Sequence, residues 1–482
     1  MQERAPLIEG LLNHIKENYT GFHVPGHQGG EGMDGIMKKL LEEPFKADLT
    51  ELPGLDSLSA PRDIIKEAQE TAAQLFKAGE TFFMVNGTTG GLLTMINAVC
   101  RPGEKLVVPR QAHQGVFGGI ITSGAVPVYL SSRDMSPQQQ RIYNVSAGEI
   151  EETLEKHPDA RALLLNNPTY YGVCADLPEI RELTAKRGVL LLLDEAHGGH
   201  LAFHPDFPPG AAEADADIWV QSTHKTLGSL TQSSMLHIKK GRVDRERLVN
   251  MINIFQSTSP SYILLASLDA ARRNLALKGR EAFGKTMAMA QKARNVLESL
   301  GFVLLPHHGG ELGEFKLDIT KLALFTFNFK ETGEEIADKL RKNYKIQVEL
   351  YDQNHLILYL TLGHQERDLE ILLRAFQDLV GTLHPADTHQ KDSDFNSKAA
   401  LPPIPPSVLT PREAVNRPVE KVPLYWAAGR VSAQTLNLYP PGIPLLVPGE
   451  LILPEIIDYF PEKGGVDKEG ISPSYEINVV RE

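Results

Sequence analysis

Cysteine is nearly missing from this chain: two in 482 residues, Cys100 and Cys174, both in apolar surroundings. That rules out a disulfide framework and fits a reducing compartment, so a cytoplasmic location is expected. Long hydrophobic runs are lacking as well. None approaches the roughly 18–20 apolar residues that span a bilayer, and the opening Met-Gln-Glu-Arg-Ala-Pro has no apolar signal core. Positive charge is in deficit, with 49 Lys and Arg against 61 Asp and Glu and a net charge of −12. Such a balance argues against nucleic acid as a partner and mildly favours cationic small molecules through long-range steering. No internal repeat is present. What remains is ordinary for a globular protein, at 42% hydrophobic and 23% charged residues, with enough length for two or three domains.

The hydrophobic pattern sets the organisation. Residues 1–60 open with Leu7, Leu11, Leu12 and Ile15 at helical spacing and continue as irregular, glycine-rich sequence, which suits an arm lying over a partner subunit. From 61 to 260, strand patterns alternate with helical ones: Thr81–Val85, Lys105–Pro109, Ala125–Leu130, Ala162–Asn166, Val189–Asp194, Ile218–Gln221 and Ser234–Ile238. This alternation predicts βαβ units and a mainly parallel sheet. Residues 261–383 read as a linking helix near 262–300 followed by a smaller α/β unit, with strands Leu322–Phe329, Ile346–Leu350 and His355–Leu360 and a helix Gly333–Asn343. Residues 384–407 are polar and then proline-rich, an extended linker, and 408–482 form a small C-terminal domain.

Chemistry concentrates at three strand ends. Five aliphatic residues, Val189 to Leu193, read as a strand buried on both faces and closed by Asp194. That is the edge where open α/β sheets place their ligands. The strand Asp217–Gln221 runs into Ser222-Thr223-His224-Lys225, which brings an amine to the same edge. After Thr81–Val85 come Asn86-Gly87-Thr88-Thr89-Gly90-Gly91 as a turn and Leu92–Cys100 as a helix. A glycine turn opening a helix offers free backbone N–H groups and the positive end of the macrodipole to an anion. Taken singly, each has a plain alternative: a surface lysine, an aspartate capping a turn, a tight glycine turn. Together they are the parts that pyridoxal 5'-phosphate requires. A lysine forms the Schiff base, an acid keeps the pyridine nitrogen protonated, and a cradle holds the phosphate.

The order Asn-Gly-Thr-Thr-Gly, then Pro109-Arg110-Gln111-Ala112-His113, then Asp194-Glu195-Ala196-His197, then Ser222-Thr223-His224-Lys225 resembles the fold-type I enzymes that use this cofactor. Two further segments, Phe22-His23-Val24-Pro25-Gly26-His27 and Tyr439 to Glu450 (Tyr-Pro-Pro-Gly-Ile-Pro-Leu-Leu-Val-Pro-Gly-Glu), resemble the bacterial ornithine/lysine/arginine decarboxylase family in particular. The likeness covers essentially the whole chain. It implies an α/β, transferase-like fold of type I and the short form of the family, without the N-terminal wing domain.

The resemblance also implies roles. Lys225 carries the cofactor, Asp194 pairs with its ring nitrogen and His113 stacks on the ring. Gly87, Thr88, Thr89 and Gly90 hold the phosphate, with Ser222 and His224 completing the cradle. His197 stands where the larger members carry tryptophan and is expected to reach the phenolic oxygen. His197, His200 and His204 have a spacing that can bind metal on a helix, but Gly198-Gly199 weaken a regular helix by about 0.8–1 kcal/mol each, so no metal is expected. Glu450, at the end of a stiff proline-rich segment, is expected to meet the substrate's distal charge, and His27 and Asp56 to lie near a partner's site in a homodimer. The implied reaction is decarboxylation of a basic amino acid to a polyamine precursor, with arginine ranked before lysine and ornithine. One methylene separates the last two and is worth only about 1–3 kcal/mol in a pocket. An aminotransferase or Cα-lyase on the same scaffold, and a non-catalytic cofactor-binding regulator, remain the alternatives.

Overall fold

The computed structural model describes residues 16–23, 26–42, 44–130, 142–305, 315–386, 402–438, 443–459 and 476–481. The helical spacing at Leu7 to Ile15, Pro25, most of the 384–407 linker and Tyr439–Gly442 lie outside the described residues.

A short strand β1 (Thr20–Phe22) precedes seven strands that build the central sheet: β2 (Glu80–Met84), β3 (Lys105–Pro109), β4 (Val126–Leu130), β5 (Ala160–Asn166), β6 (Leu190–Asp194), β7 (Ile218–Gln221) and β8 (Ser234–Ile238). Their order across the sheet is β2-β8-β7-β6-β5-β3-β4. Strands β3 to β7 are mutually parallel, and β8 runs antiparallel between β7 and β2. The aliphatic run in β6 explains its central place. Leu192 enters one apolar layer with Leu164 and Val220, while Leu191 and Leu193 enter the opposite layer with Leu163, Leu165 and Trp219. A strand apolar on both faces is stable only where both faces are covered.

Helices α1 (Gly87–Val99) and α2 (Gln114–Ser123) cover the first of these layers. Helix α1 starts five residues before the expected Leu92, so the glycine turn is already its first turn. The close approach explains the glycines. A Cβ on Gly91 would stand 2.4 Å from Val220 Cγ2, so α1 can lie on β7 only without a side chain there.

Helix α3 (Tyr262–Ser299) leads to a second unit. Its antiparallel sheet contains β9 (Lys321–Phe325) and β11 (His355–Tyr359), flanked by Val303–Leu304 and Leu350–Tyr351. Strand β10 (Ile346–Val348) pairs in parallel with β1, which ties the N-terminal segment to this unit. Strand β9 stops at Phe325, short of the expected Phe329. The C-terminal segment pairs Val419–Pro423 with Glu476–Val480 around a core that includes Leu424, Leu446, Ile452, Ile456 and Ile477. Among the described residues, no helix is long and apolar enough to cross a membrane.

Candidate active site

All the parallel strands, and β2 with them, deliver their carboxyl ends to one edge of the sheet, and the chemistry-bearing residues collect there. Strand β2 feeds α1, whose N-terminus has no side-chain cap: Asn86 instead donates to Phe255 O at 2.8 Å. The amides of the first helical turn therefore stay available to an anion. Thr88 is buried and its hydroxyl lies 2.5 Å from Ser222 Oγ and 3.0 Å from Ser234 Oγ. Three strand ends are thus joined by hydroxyls beneath the helix terminus. Thr89 is exposed beside them, Gly87 takes a left-handed φ of 67°, and Gly90 donates its N–H to Asn86 O at 3.1 Å.

Asp194 ends β6 and is buried. One carboxylate oxygen accepts from Ala196 N at 3.1 Å, and no hydrogen bond reaches the other from the described residues. Burial raises its pKa, with His113 and Lys225 opposing that shift. Glu195 is turned the other way and accepts from Ala211 N at 2.7 Å and Gln221 Nε2 at 2.6 Å; burial pushes its carboxyl up to about 8.

His113 caps α2, its Nδ1 accepting from Gly115 N at 3.0 Å, which leaves exposed ring surface within electrostatic reach of Asp194 and Lys225. Desolvation lowers its pKa.

Lys225 lies in a single helical turn, Thr223–Thr226, after β7. Its Nζ is 2.9 Å from His197 Nε2. Desolvation lowers the pKa of the amine, against the raising influence of Asp194 and Glu349, so the neutral nucleophilic form gains population. Burial first, then the Lys225 and Lys321 cations, hold His197 far below the usual imidazole range. His224 lies 2.9 Å through Nδ1 from Ser233 O, and burial lowers its pKa to about 4.

The structure also gathers residues that sequence reasoning missed. Tyr359, at the end of β11, reaches across from the second unit to within 3.3 Å of His197 Nδ1 and donates to Tyr170 O at 2.9 Å. The Tyr170 ring meets His197 edge-on at 4.7 Å, and its hydroxyl donates to Glu349. Lys321 donates to His197 O at 2.9 Å and to Asp318 at 2.6 Å, both of them fully buried side chains. His200 Nε2 is 2.9 Å from the same carboxylate, and desolvation lowers its pKa. Tyr170 follows the end of β5 at the site edge, a signal the sequence did carry. Tyr359 and Lys321 belong to another sheet, and no local pattern announces them.

The three expected substrate contacts are held within this chain as follows. His27 accepts from Gly30 N at 3.1 Å, and its turn packs on its own chain's lysine loop, Gly26 N donating to His224 O at 2.9 Å. The Asp56 carboxylate takes the backbone N–H groups of Ser57, Arg62, Asp63 and Ile65 at 2.8–3.1 Å, just ahead of the helix Ile64–Leu75. Both oxygens of Glu450 pair with Arg110, at 2.5 and 2.8 Å, in buried surroundings. A carboxylate so paired has no open face for a substrate cation, which corrects the role expected of Glu450. The histidine cluster separates likewise: His197 faces Lys225, His200 faces Asp318 and His204 lies 3.7 Å from Asp206.

An uncapped helix N-terminus over three hydroxyls, a half-engaged buried carboxylate, an exposed imidazole face and a desolvated lysine on one edge fit pyridoxal phosphate. They define a site of the fold-type I class. The chain belongs to the Orn/Lys/Arg decarboxylase family, whose major domain matches residues 5–310 and whose C-terminal domain matches residues 396–469. That family depends on pyridoxal phosphate. The chain is 39% identical to an arginine decarboxylase of Halalkalibacterium halodurans, over 97% of this chain and 96% of that one. It is 38% identical to an arginine decarboxylase of Bacillus subtilis, over 95% and 93%. The fold is that of the Francisella novicida lysine decarboxylase, with a TM-score of 0.75 at 22% identity over 95% of this chain and 78% of that one.

Proposed function

We propose that the protein converts L-arginine to agmatine and carbon dioxide, with lysine and ornithine as poorer substrates. The observation that carries this reading is the likeness to an arginine decarboxylase along nearly the whole length of both chains, in a chain that keeps Lys225, Asp194 and His113 together.

When bound, pyridoxal phosphate supplies a protonated pyridine ring that takes up the electron pair released as the bond to the carboxylate breaks. The chain's residues do the rest. Asp194, with one oxygen held by Ala196, would offer the other to the ring N–H in a charge-assisted hydrogen bond. The first turn of α1, with Thr88 and Ser222 below it, would receive the phosphate, with His224 bordering it on the lysine side. His113 would lay its exposed face against the ring. Lys225 would provide the amine that holds the aldehyde carbon, and His197 Nε2, 2.9 Å away, would accept a hydrogen bond from that amine. Lys225 Nζ, freed when the substrate's amine takes its place on the aldehyde carbon, would be the group to give Cα the proton that replaces the departing carbon dioxide. Glu349, joined to the site through Tyr170 and within electrostatic reach of Lys225, supports a position for the substrate's guanidinium. Holding the distal end in this way leaves the α-carboxylate in a less stabilised environment, the condition for expelling it.

A homodimer or a multiple of it, located in the cytoplasm, belongs to the same proposal; sedimentation velocity would show a monomer if the assembly is wrong. The reaction itself is tested by incubating purified protein and pyridoxal phosphate with each of the three amino acids and measuring amine and carbon dioxide by mass spectrometry. Agmatine should form fastest. Failure of arginine to yield any agmatine would refute the reading.

A further inference from the structure

We propose that Glu450 is a positioning residue: through Arg110 it fixes the loop that carries His113, and the C-terminal segment thereby braces α2 at both ends. The inference rests on the reading that His113 lies against the cofactor ring.

Arg110 directly follows β3. Its Nη1 and Nη2 donate to the two oxygens of Glu450, Nη2 also donates to Leu445 O at 2.9 Å, and Nε donates to Pro444 O at 3.1 Å. Val447 N donates to Glu450 at 2.8 Å, and the guanidinium lies 4.9 Å from the centre of the Tyr129 ring. The arginine's three partners on the C-terminal side, Pro444, Leu445 and Glu450, fall between residues 444 and 450, so a single short segment clamps it. Only Gln111 and Ala112 separate Arg110 from His113. Ala112 is buried and closes the turn with its N–H on Pro109 O at 3.1 Å. With so little slack, a shift of Arg110 becomes a shift of the His113 ring.

The other end of α2 is held from the same part of the chain. Gly124 ends the helix at a φ of 74°, and Arg412 Nη1 donates to Ser123 O at 3.3 Å. A Cβ on Gly124 would stand 2.7 Å from that guanidinium nitrogen, so the arginine fills the space glycine leaves. Asn437 Nδ2 reaches Gln114 Oε1 at 3.4 Å beside His113. The C-terminal segment thus touches α2 at its first and last residues and sets how far the helix, and the histidine that caps it, can move.

A double-mutant cycle tests this, because two residues acting through one contact are not additive. Pyridoxal phosphate affinity is measured by equilibrium dialysis on the apoprotein for the wild type, His113→Ala, Glu450→Gln and the pair combined, with circular dichroism as the check on folding. Glu450→Gln should weaken binding by about tenfold, and the combined variant should be within about twofold of His113→Ala. The same variant should lower kcat/KM for arginine and for lysine by similar factors. If Glu450→Gln does not fold, Arg110→Lys takes its place in the cycle, since it keeps the buried charge but cannot form the two-pronged contact. Additive losses, or a defect confined to substrate KM with cofactor affinity intact, would overturn the proposal. If His113→Ala leaves cofactor affinity unchanged, the proposal falls through its premise, and that result is separate from any outcome of the arginine assay.

Discussion

His197 stands between Lys225 and Tyr359, with Nε2 2.9 Å from the amine and Nδ1 3.3 Å from the phenol oxygen. Tyr359 has one proton and gives it to Tyr170 O at 2.9 Å. Its oxygen can then only accept, so Nδ1 carries the hydrogen and Nε2 turns a lone pair to Lys225. Burial and two neighbouring cations keep the ring neutral. A tyrosine from the second unit therefore decides which histidine nitrogen faces the lysine amine as a hydrogen-bond acceptor.

Tyr359→Phe removes that constraint. One hydrogen bond of this kind is worth about 0.5–1.5 kcal/mol, so kcat should fall by about three- to tenfold while cofactor affinity holds. Nitrogen NMR on histidine-labelled apoprotein should show His197 as the Nδ1–H tautomer in the wild type and as a mixture in the variant. An unchanged His197 signal in the variant would remove Tyr359 from the account.

Glu349→Gln should lower kcat/KM for arginine by about thirtyfold or more, since loss of a desolvated charge pair costs about 2–5 kcal/mol. Agmatine, which keeps the guanidinium but lacks the carboxylate, should inhibit the variant correspondingly less. Equal inhibition of variant and wild type by agmatine would place the distal cation elsewhere.

The buried group Asp318, Lys321 and His200 predicts a pH dependence of stability. Lys321 and His200 hold the Asp318 carboxyl far below the usual carboxylate range, against the raising effect of burial. Its folded pKa is depressed, so its contribution is present above the unfolded value near 4 and is lost as pH falls through the folded one. Asp318→Asn leaves Lys321 buried without its counter-charge and should cost about 3–5 kcal/mol near neutral pH. In chemical denaturation the gap between wild type and variant should be constant from pH 5 to 7 and narrow progressively as the pH falls below about 4. A gap that instead widens towards acid pH would contradict the sign.

The legible part of the protein was the part whose function follows local pattern. Asp194, Lys225 and the Gly87 turn each sit at the end of an apolar run, and parallel strands deliver their ends to one edge, so periodicity alone brought them together. Asp194 was read from its place at the strand's end, and the next residue, Glu195, is engaged instead by Ala211 and Gln221. Glu450 misled: a stiff segment does present one side chain in a fixed place, but its partner, Arg110, lies some 340 residues away in the chain. Tyr359 and Lys321 were invisible because the packing of two units, not any local pattern, puts them beside His197.

Gly26 shows how closely the N-terminal turn fits the lysine loop. A Cβ there would stand 2.4 Å from Lys225 O, a backbone atom that cannot swing aside. Gly26→Ala should therefore displace either the turn or Lys225 and cut activity by at least about tenfold. Gly35→Ala, where a Cβ meets nothing within 4 Å, is the control and should leave activity unchanged. Equal activity of the two variants would mean that the turn does not bear on the lysine.

The central claim is that this site removes the carboxylate of arginine, and carboxyl-labelled arginine turned over in heavy water tests it most directly. The account predicts labelled carbon dioxide and agmatine in equal amounts, with a single deuteron at the carbon that lost the carboxylate and no product from Lys225→Ala. Label retained in a 2-oxo acid, with no agmatine formed, would contradict it and identify an aminotransferase instead.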